Sequence, residues 1–125
     1  MNWFKKTYSS KFDISEGLHT AVIEKATIQY YVTREGVVEL MSLRVPQKYR
    51  GQGYAKSILF EFTKWLDEQG LKSTLGASPL DKKTHPEKLE QLYSGFGYVP
   101  TGRYINPVRD KEMKRYPQEN NNELV

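Results

Sequence analysis

A chain of 125 residues, 38% hydrophobic and 27% charged, has the composition of a single water-facing domain with a real core, and no apolar run approaches membrane-spanning length. The absence of cysteine excludes disulfides, Cys-ligated zinc and a thiol nucleophile. The net charge of +4 is mild, and much of it sits in Lys82-Lys83 and Arg109–Arg115, where acids are interleaved; solvated faces explain it without nucleic acid. Lys5 and Lys6 have no apolar segment behind them, so no secretory signal is visible and a cytoplasmic location is expected.

In chain order, Met1–Leu18 fits either a short helix or an edge strand built on Trp3, Phe4, Tyr8, Phe12 and Ile14. Thr20–Glu24 and Thr27–Thr33 read as strands, with Ile28, Tyr30 and Val32 alternating against Thr27, Gln29 and Tyr31. Arg34-Glu35-Gly36 is a turn into Val37–Val45, the third run of an antiparallel meander, and Pro46 ends it. Ala55–Gln69 is the main predicted helix: Ala55, Ile58, Leu59, Phe62, Trp65 and Leu66 share one face, and Gly70 stops it. Leu71–Ala77 is a strand and Ser78–Pro86 a loop. Glu87–Ser94 is a short helix with Leu89, Leu92 and Tyr93 on one side. Tyr98–Tyr104 and Lys111–Tyr116 are the last strands. The expected fold is α/β, a mixed and mostly antiparallel sheet with packed helices. Residues 1–116 form one expected domain, and 117–125 a disordered tail.

Between the third strand and the main helix lies Tyr49-Arg50-Gly51-Gln52-Gly53-Tyr54-Ala55. Glycines let backbone approach a ligand closely, and the unpaired N–H groups of a first helical turn face an anion there. Arg50 adds positive charge, so phosphate or pyrophosphate is the expected ligand; a plain strand-to-helix turn would use the same residues. There is no G-x-x-x-x-G-K-[ST], and Lys56 stands where a dinucleotide fingerprint needs its third glycine.

A second motif, Gln91-Leu92-Tyr93-Ser94-Gly95-Phe96-Gly97-Tyr98, follows about forty residues later. Together the two resemble the Gcn5-related N-acetyltransferase family. Its pyrophosphate loop, Arg/Gln-x-x-Gly-x-Gly/Ala, is matched by Arg50–Ala55. Its Leu-Tyr-x-x-x-Gly-Phe segment is matched by Leu92–Tyr98, with Tyr98 for the Phe. Glu39 stands eleven positions before Arg50, where many members carry an acid, and Leu43, Val45 and Pro46 approximate the approach to the loop. The resemblance covers about Thr20 to Tyr116. Met1–Leu18 is too short for the family's opening strand and two helices, which implies an open acceptor site or one completed by a partner chain.

The resemblance implies an acyl-coenzyme A N-acyltransferase-like fold and transfer of acetyl from acetyl-coenzyme A, as cosubstrate, to a primary amine. Leu43 and Val45 are the expected backbone partners of the pantetheine arm. Arg50, Gly51, Gln52, Gly53, Tyr54 and Ala55 would hold the pyrophosphate, with Lys56 and Ser57 adding side-chain contacts. A lysine amine has a reference pKa near 10.4, so roughly one in a thousand is neutral at pH 7 and a base helps. Glu39 is the candidate base, or an ordinary strand carboxylate. Tyr93 is the candidate proton or hydrogen-bond donor to the thiolate, or a core aromatic among Leu89, Leu92 and Phe96. No covalent acyl-enzyme is expected, since there is no Cys and no G-x-S-x-G. His19 and His85 lack partners at metal spacing, so no metal is assigned.

The alternative is a catalytically inactive acyl-coenzyme A-binding or protein-interaction module of the same fold. The acceptor is an amine on a small molecule, a protein lysine or a protein N-terminus. A membrane partner is not expected, nucleic acid is disfavoured, and a homodimer through Trp3, Phe4 and edge strands is open.

Overall fold

The alternation of β-branched and aromatic residues in Ala26–Val32 organises the sheet. Ala26, Ile28, Tyr30 and Val32 are buried, while Thr27, Gln29 and Tyr31 face outward. A computed structural model describes residues 11–77, 86–105 and 110–118. Its strands are β1 (Gly17–Ile23), β2 (Ala26–Val32), β3 (Val38–Arg44), β4 (Ser73–Ala77), β5 (Val99–Ile105) and β6 (Asp110–Arg115). Its helices are α1 (Tyr54–Gln69) and α2 (Pro86–Ser94), with a 3₁₀ turn at Gln47–Tyr49. The strands and helices expected between Thr20 and Tyr116 are present, with ends displaced by a few residues. Residues 1–10 and most of the predicted 78–86 loop lie outside the described residues, as do His85 and residues 119–125.

The sheet order is β1-β2-β3-β4-β6-β5. β3 and β4 run parallel and every other neighbouring pair is antiparallel. The parallel ladder covers Val38↔Ser73, Glu39↔Thr74 and Leu40↔Leu75, after which β3 and β4 part. At that point β3 bulges: Leu40 pairs with Tyr30 and Ser42 with Gln29, leaving Met41 as the extra residue. The bulge moves the inward-facing set from Val38 and Leu40 to Leu43 and Val45. The sequence shows this as a break in alternation that a single nine-residue run conceals.

α1 lies against β1 and β2, and α2 against β4. Ile58, Leu59, Phe62 and Leu66 are fully buried, each contributing about 1.5–3 kcal/mol of burial free energy. Gly53 and Gly70 bracket the helix, both at positive φ. Phe12 packs with Tyr30, Phe62 and Trp65 in one aromatic cluster. The Tyr30 hydroxyl accepts the Asp13 N–H at 2.6 Å and donates to its carbonyl at 3.0 Å. Residues 11–16 are irregular chain anchored by Phe12, and the rest of the element expected before β1, with Trp3, Phe4 and Tyr8, lies outside the described residues. Tyr31 and Met41 are exposed on the opposite face of the sheet, with Leu18 and Val22.

The far half is tied by Arg115, whose side chain is 4% exposed. It donates from Nη1 and Nη2 to the Asp67 carboxylate at 2.8 and 3.0 Å, and from Nε to the Phe96 carbonyl. The Gln118 N–H also donates to Asp67. β6, the end of α1 and the turn after α2 thus share one guanidinium. Removing Asp67 strands a buried cation, though Asp67 itself is partly solvated, so Asp67→Ala should cost about 2–3 kcal/mol. Urea unfolding should show a lower midpoint with unchanged slope.

Candidate active site

Where β3 leaves β4, the sheet opens. Val38 donates its N–H to the Lys72 carbonyl, so its backbone edge faces β4. The same edge recurs at every second residue, and the bulge carries it to Leu43 and Val45. Beyond Leu40 that edge has no β4 partner. It borders a cleft of about 400 Å³ whose walls include Leu43 and Val45 from β3 and Leu89, Leu92 and Tyr93 from α2.

The loop beneath is shaped by two glycines, Gly51 at φ 79° and Gly53 at φ 89°. Both take the left-handed conformation without a Cβ penalty. A Cβ on either would meet nothing within 4 Å, so the constraint is backbone conformation and not crowding. The first intrahelical hydrogen bond of α1 runs from the Ser57 N–H to the Gly53 carbonyl at 3.0 Å. Tyr54, Ala55 and Lys56 therefore begin the helix with N–H groups that have no acceptor within it, and no side chain caps them. These groups open into the cleft beside Arg50. Arg50 itself crosses the loop: its Nε donates to the Val45 carbonyl at 2.9 Å. Besides supplying charge it pins the end of β3 to the loop, and one of Val45's backbone groups is spent internally.

Of the ten residues expected to hold an acyl donor, Leu43, Val45, Arg50, Gly51, Gly53, Tyr54, Ala55 and Lys56 line this cleft; Gln52 and Ser57 do not. Sequence reasoning missed Arg44, Tyr49, Leu89 and Leu92. Tyr49 meets the Tyr54 ring edge-on at 6.2 Å, under Lys25 and Lys48. An aromatic at the loop's shoulder was its only local signal. Leu89 and Leu92 carry the same apolar spacing as any core-facing helix.

A second cleft of about 370 Å³ lies on the opposite face of the sheet. Glu39, Thr74, Gly76 and Glu112 line it, and Tyr93 lines both clefts. Glu39 is exposed, paired between Tyr31 and Thr74 on the still-bonded part of β3. A Cβ at Gly76 would overlap the end of the Ile105 side chain, which would have to turn aside.

Tyr93 is 7% exposed and packs edge-on against Tyr98. Burial pushes its phenol up to about 12. Among the described residues its hydroxyl has no hydrogen-bond partner, unlike Tyr98, whose hydroxyl is 2.7 Å from Ser73 Oγ. Burial also raises the Tyr98 phenol, well above the ordinary range. His19 bonds through its ring to the Ser15 carbonyl and stacks on Tyr30, a surface structural role.

A mixed sheet that splits at a parallel pair, with a glycine loop and helix N-terminus at the split, defines the acyl-coenzyme A N-acyltransferase-like fold. The chain belongs to the acetyltransferase (GNAT) family, whose model matches residues 6–98. A search of curated protein sequences found no significant match. Among solved structures, it is similar to the ribosomal-protein-S18-alanine N-acetyltransferase of Escherichia coli, at 16% identity and TM-score 0.62, covering 93% of this chain and 78% of that one. The anti-CRISPR protein AcrVA5 aligns at 20% identity and TM-score 0.61, covering 78% of this chain and 97% of that one. The PaiA N-acetyltransferase of Thermoplasma acidophilum, solved with coenzyme A, aligns at 16% identity and TM-score 0.54, covering 73% and 52%. At these identities the likenesses concern the fold. Among the described residues no helix is long and apolar enough to cross a membrane.

Burial raises Tyr30 too, and the three raised phenols set a pH dependence, led by Tyr93 and Tyr98. Their folded pKa values lie above the unfolded value of 10.0. Above pH 10 the unfolded chain therefore holds fewer protons than the folded one, and stability falls as pH rises. Chemical denaturation should show the contribution of these phenols fully present and pH-independent near neutrality, with a loss setting in above pH 10. Tyr93→Phe should make that loss shallower.

Proposed function

We propose that this chain transfers an acetyl group from acetyl-coenzyme A to a primary amine by direct attack within a ternary complex. The observation that supports it best is Tyr93, a phenol whose hydroxyl has no hydrogen-bond partner among the described residues and which lines both clefts. The cleft behind it suits a phosphorylated donor with an amide arm. The N–H groups at the start of α1 would take the pyrophosphate, and the unpaired edge at Leu43 and Val45 would take the pantetheine as an added strand. The Gly51 and Gly53 conformations keep side chains out of the way. Membership in the family and the coenzyme A-bound neighbour of the same fold favour the same donor.

The reaction forms a C–N bond and breaks the C–S bond of the thioester. One proton leaves the nitrogen, and the departing sulfur needs a hydrogen bond or a proton. Glu39, on the outer side, would act as base, directly or through water. For Tyr93 the raised pKa refines the role. An ordinary thiol has a pKa near 8.5, so full proton transfer from a phenol held at about 12 runs uphill. The phenol acts best as a hydrogen-bond donor to the sulfur, with the proton supplied afterwards from solvent. Most of the rate would come from holding amine and thioester together, worth up to about 7–11 kcal/mol.

Calorimetric titration with acetyl-coenzyme A tests the donor site. The wild type should bind, and Gly53→Glu should fold yet lose binding, because a carboxylate would occupy the anion position. In an amine-acetylation assay Tyr93→Phe should lower kcat by about a hundredfold with donor affinity retained. No binding by the wild type would sink the transferase reading. Binding with no turnover on any amine would favour the inactive binding module.

A further inference from the structure

The cross-strand pairs lay one row of side chains over the outer face of the whole sheet: Leu18, Tyr31, Glu39, Thr74, Lys114 and Val99. In that row Lys114 stands two strands from Glu39, about 10 Å from backbone to backbone, with Thr74 between them. Thr74 lines the outer cleft together with Glu39 and Tyr93. Lys114 therefore carries a primary amine, on a long flexible stem, to the border of the cleft an acceptor amine would enter.

The position of this lysine is fixed and its amine is uncommitted. β6 lies between β4 and β5, so the Lys114 backbone is paired on both sides, and the residue is half-buried. Among the described residues it has no hydrogen bond or ion pair. Glu112, two residues earlier on the same face of β6, would be the ready partner. Its carboxylate is taken: it accepts from Thr101 Oγ1 at 2.8 Å and has the Arg103 side chain at 4.0 Å. Other lysines are engaged or lie elsewhere. Lys25 and Lys48 sit over the Tyr49 ring, and Lys72 over Tyr116. Lys111 donates to Glu90 of α2 at 3.0 Å, and Lys56 lines the inner cleft. Lys64 and Lys88 belong to the helices on the inner side of the sheet.

We propose that Lys114 is a self-acetylation site, modified by the acetyl-coenzyme A bound in the inner cleft of the same molecule. This rests on the transferase reading and adds to it a modification of the chain itself. The ammonium first loses a proton, for which Glu39 in the same row is the available carboxylate. The neutral Nζ then attacks the thioester carbonyl; a C–N bond forms and the C–S bond breaks. The second proton of the nitrogen leaves as the amide forms, and the departing sulfur ends as the coenzyme A thiol. Nothing beyond acetyl-coenzyme A is consumed. The product is a neutral amide where the row carried a cation.

To test this, the purified chain is incubated with excess acetyl-coenzyme A and no added amine, and peptide mass spectrometry follows each lysine. Lys114 should be acetylated at least about tenfold faster than Lys64 or Lys88, because its amine is held near the thioester while theirs meet it by collision. The fraction modified per unit time should stay constant over about hundredfold dilution of the protein, as a reaction within one molecule requires. Gly53→Glu should abolish the mark. Lys114→Arg should remove it while acetyl-coenzyme A titration still shows donor binding. Acetyl spread evenly over exposed lysines, a mark that persists in Gly53→Glu, or a rate that falls with dilution would overturn the inference. An unmodified Lys114 in a preparation that acetylates an external amine would overturn it too and leave the transferase intact. A wild type that neither binds the donor nor acetylates any amine brings down both.

Discussion

The constraint on which the site depends is the shortness of the parallel ladder between β3 and β4. Three residue pairs hold the two halves of the sheet together, and Met41 then breaks the register. Had the pairing continued, Leu43 and Val45 would have spent their backbone groups on β4, and no cleft would exist. An unsatisfied strand edge is normally a liability that proteins cover. Here it lies inside the molecule, between α1 and α2, where only a ligand narrow enough to enter the cleft can reach it. The glycine loop follows directly from that edge, so the strand partner and the anion site belong to one continuous stretch of chain.

The same opening brings the two faces of the sheet together at Tyr93, which lines the clefts on both. Before the bulge Val38 and Leu40 face inward and Glu39 outward; after it Leu43 and Val45 take the inward side. The bulge therefore shifts the alternation by one, so that odd-numbered positions turn from the outer face to the inner cleft.

Much of this was legible in the sequence, for identifiable reasons. Strand alternation in Ala26–Val32 and the three-and-four spacing from Ile58 to Leu66 are local properties, and the structure keeps them. The glycine loop was legible because positive φ at Gly51 and Gly53 demands glycine in an unusual place. Glu112, Thr101 and Asp110 were not, since β6 enters beside β4 from far along the chain and no local pattern marks which of its acids faces the gap. Nor was the Val45–Arg50 hydrogen bond, because an arginine ahead of an anion loop reads as a ligand and gives no sign that it also braces the strand. The Met41 bulge left a trace, a skipped beat between Leu40 and Leu43, but a bulge and a loosely alternating strand look alike without the partner strand.

The narrow junction between the half-sheets has a mechanical meaning as well. β1–β3 with α1 form one block, and β4, β6, β5 with α2 form another. They are joined by a seam three residue pairs wide and by Arg115 of β6, which holds Asp67 at the end of α1, so twisting one block against the other disturbs few backbone hydrogen bonds but loads that ion pair. An extended molecule bound along the open edge of β3 would take the position of the strand pairing that stops at Leu40, and would bridge both blocks at once. Occupancy of the inner cleft would then be felt as stiffness across the whole domain, well beyond the residues the ligand touches.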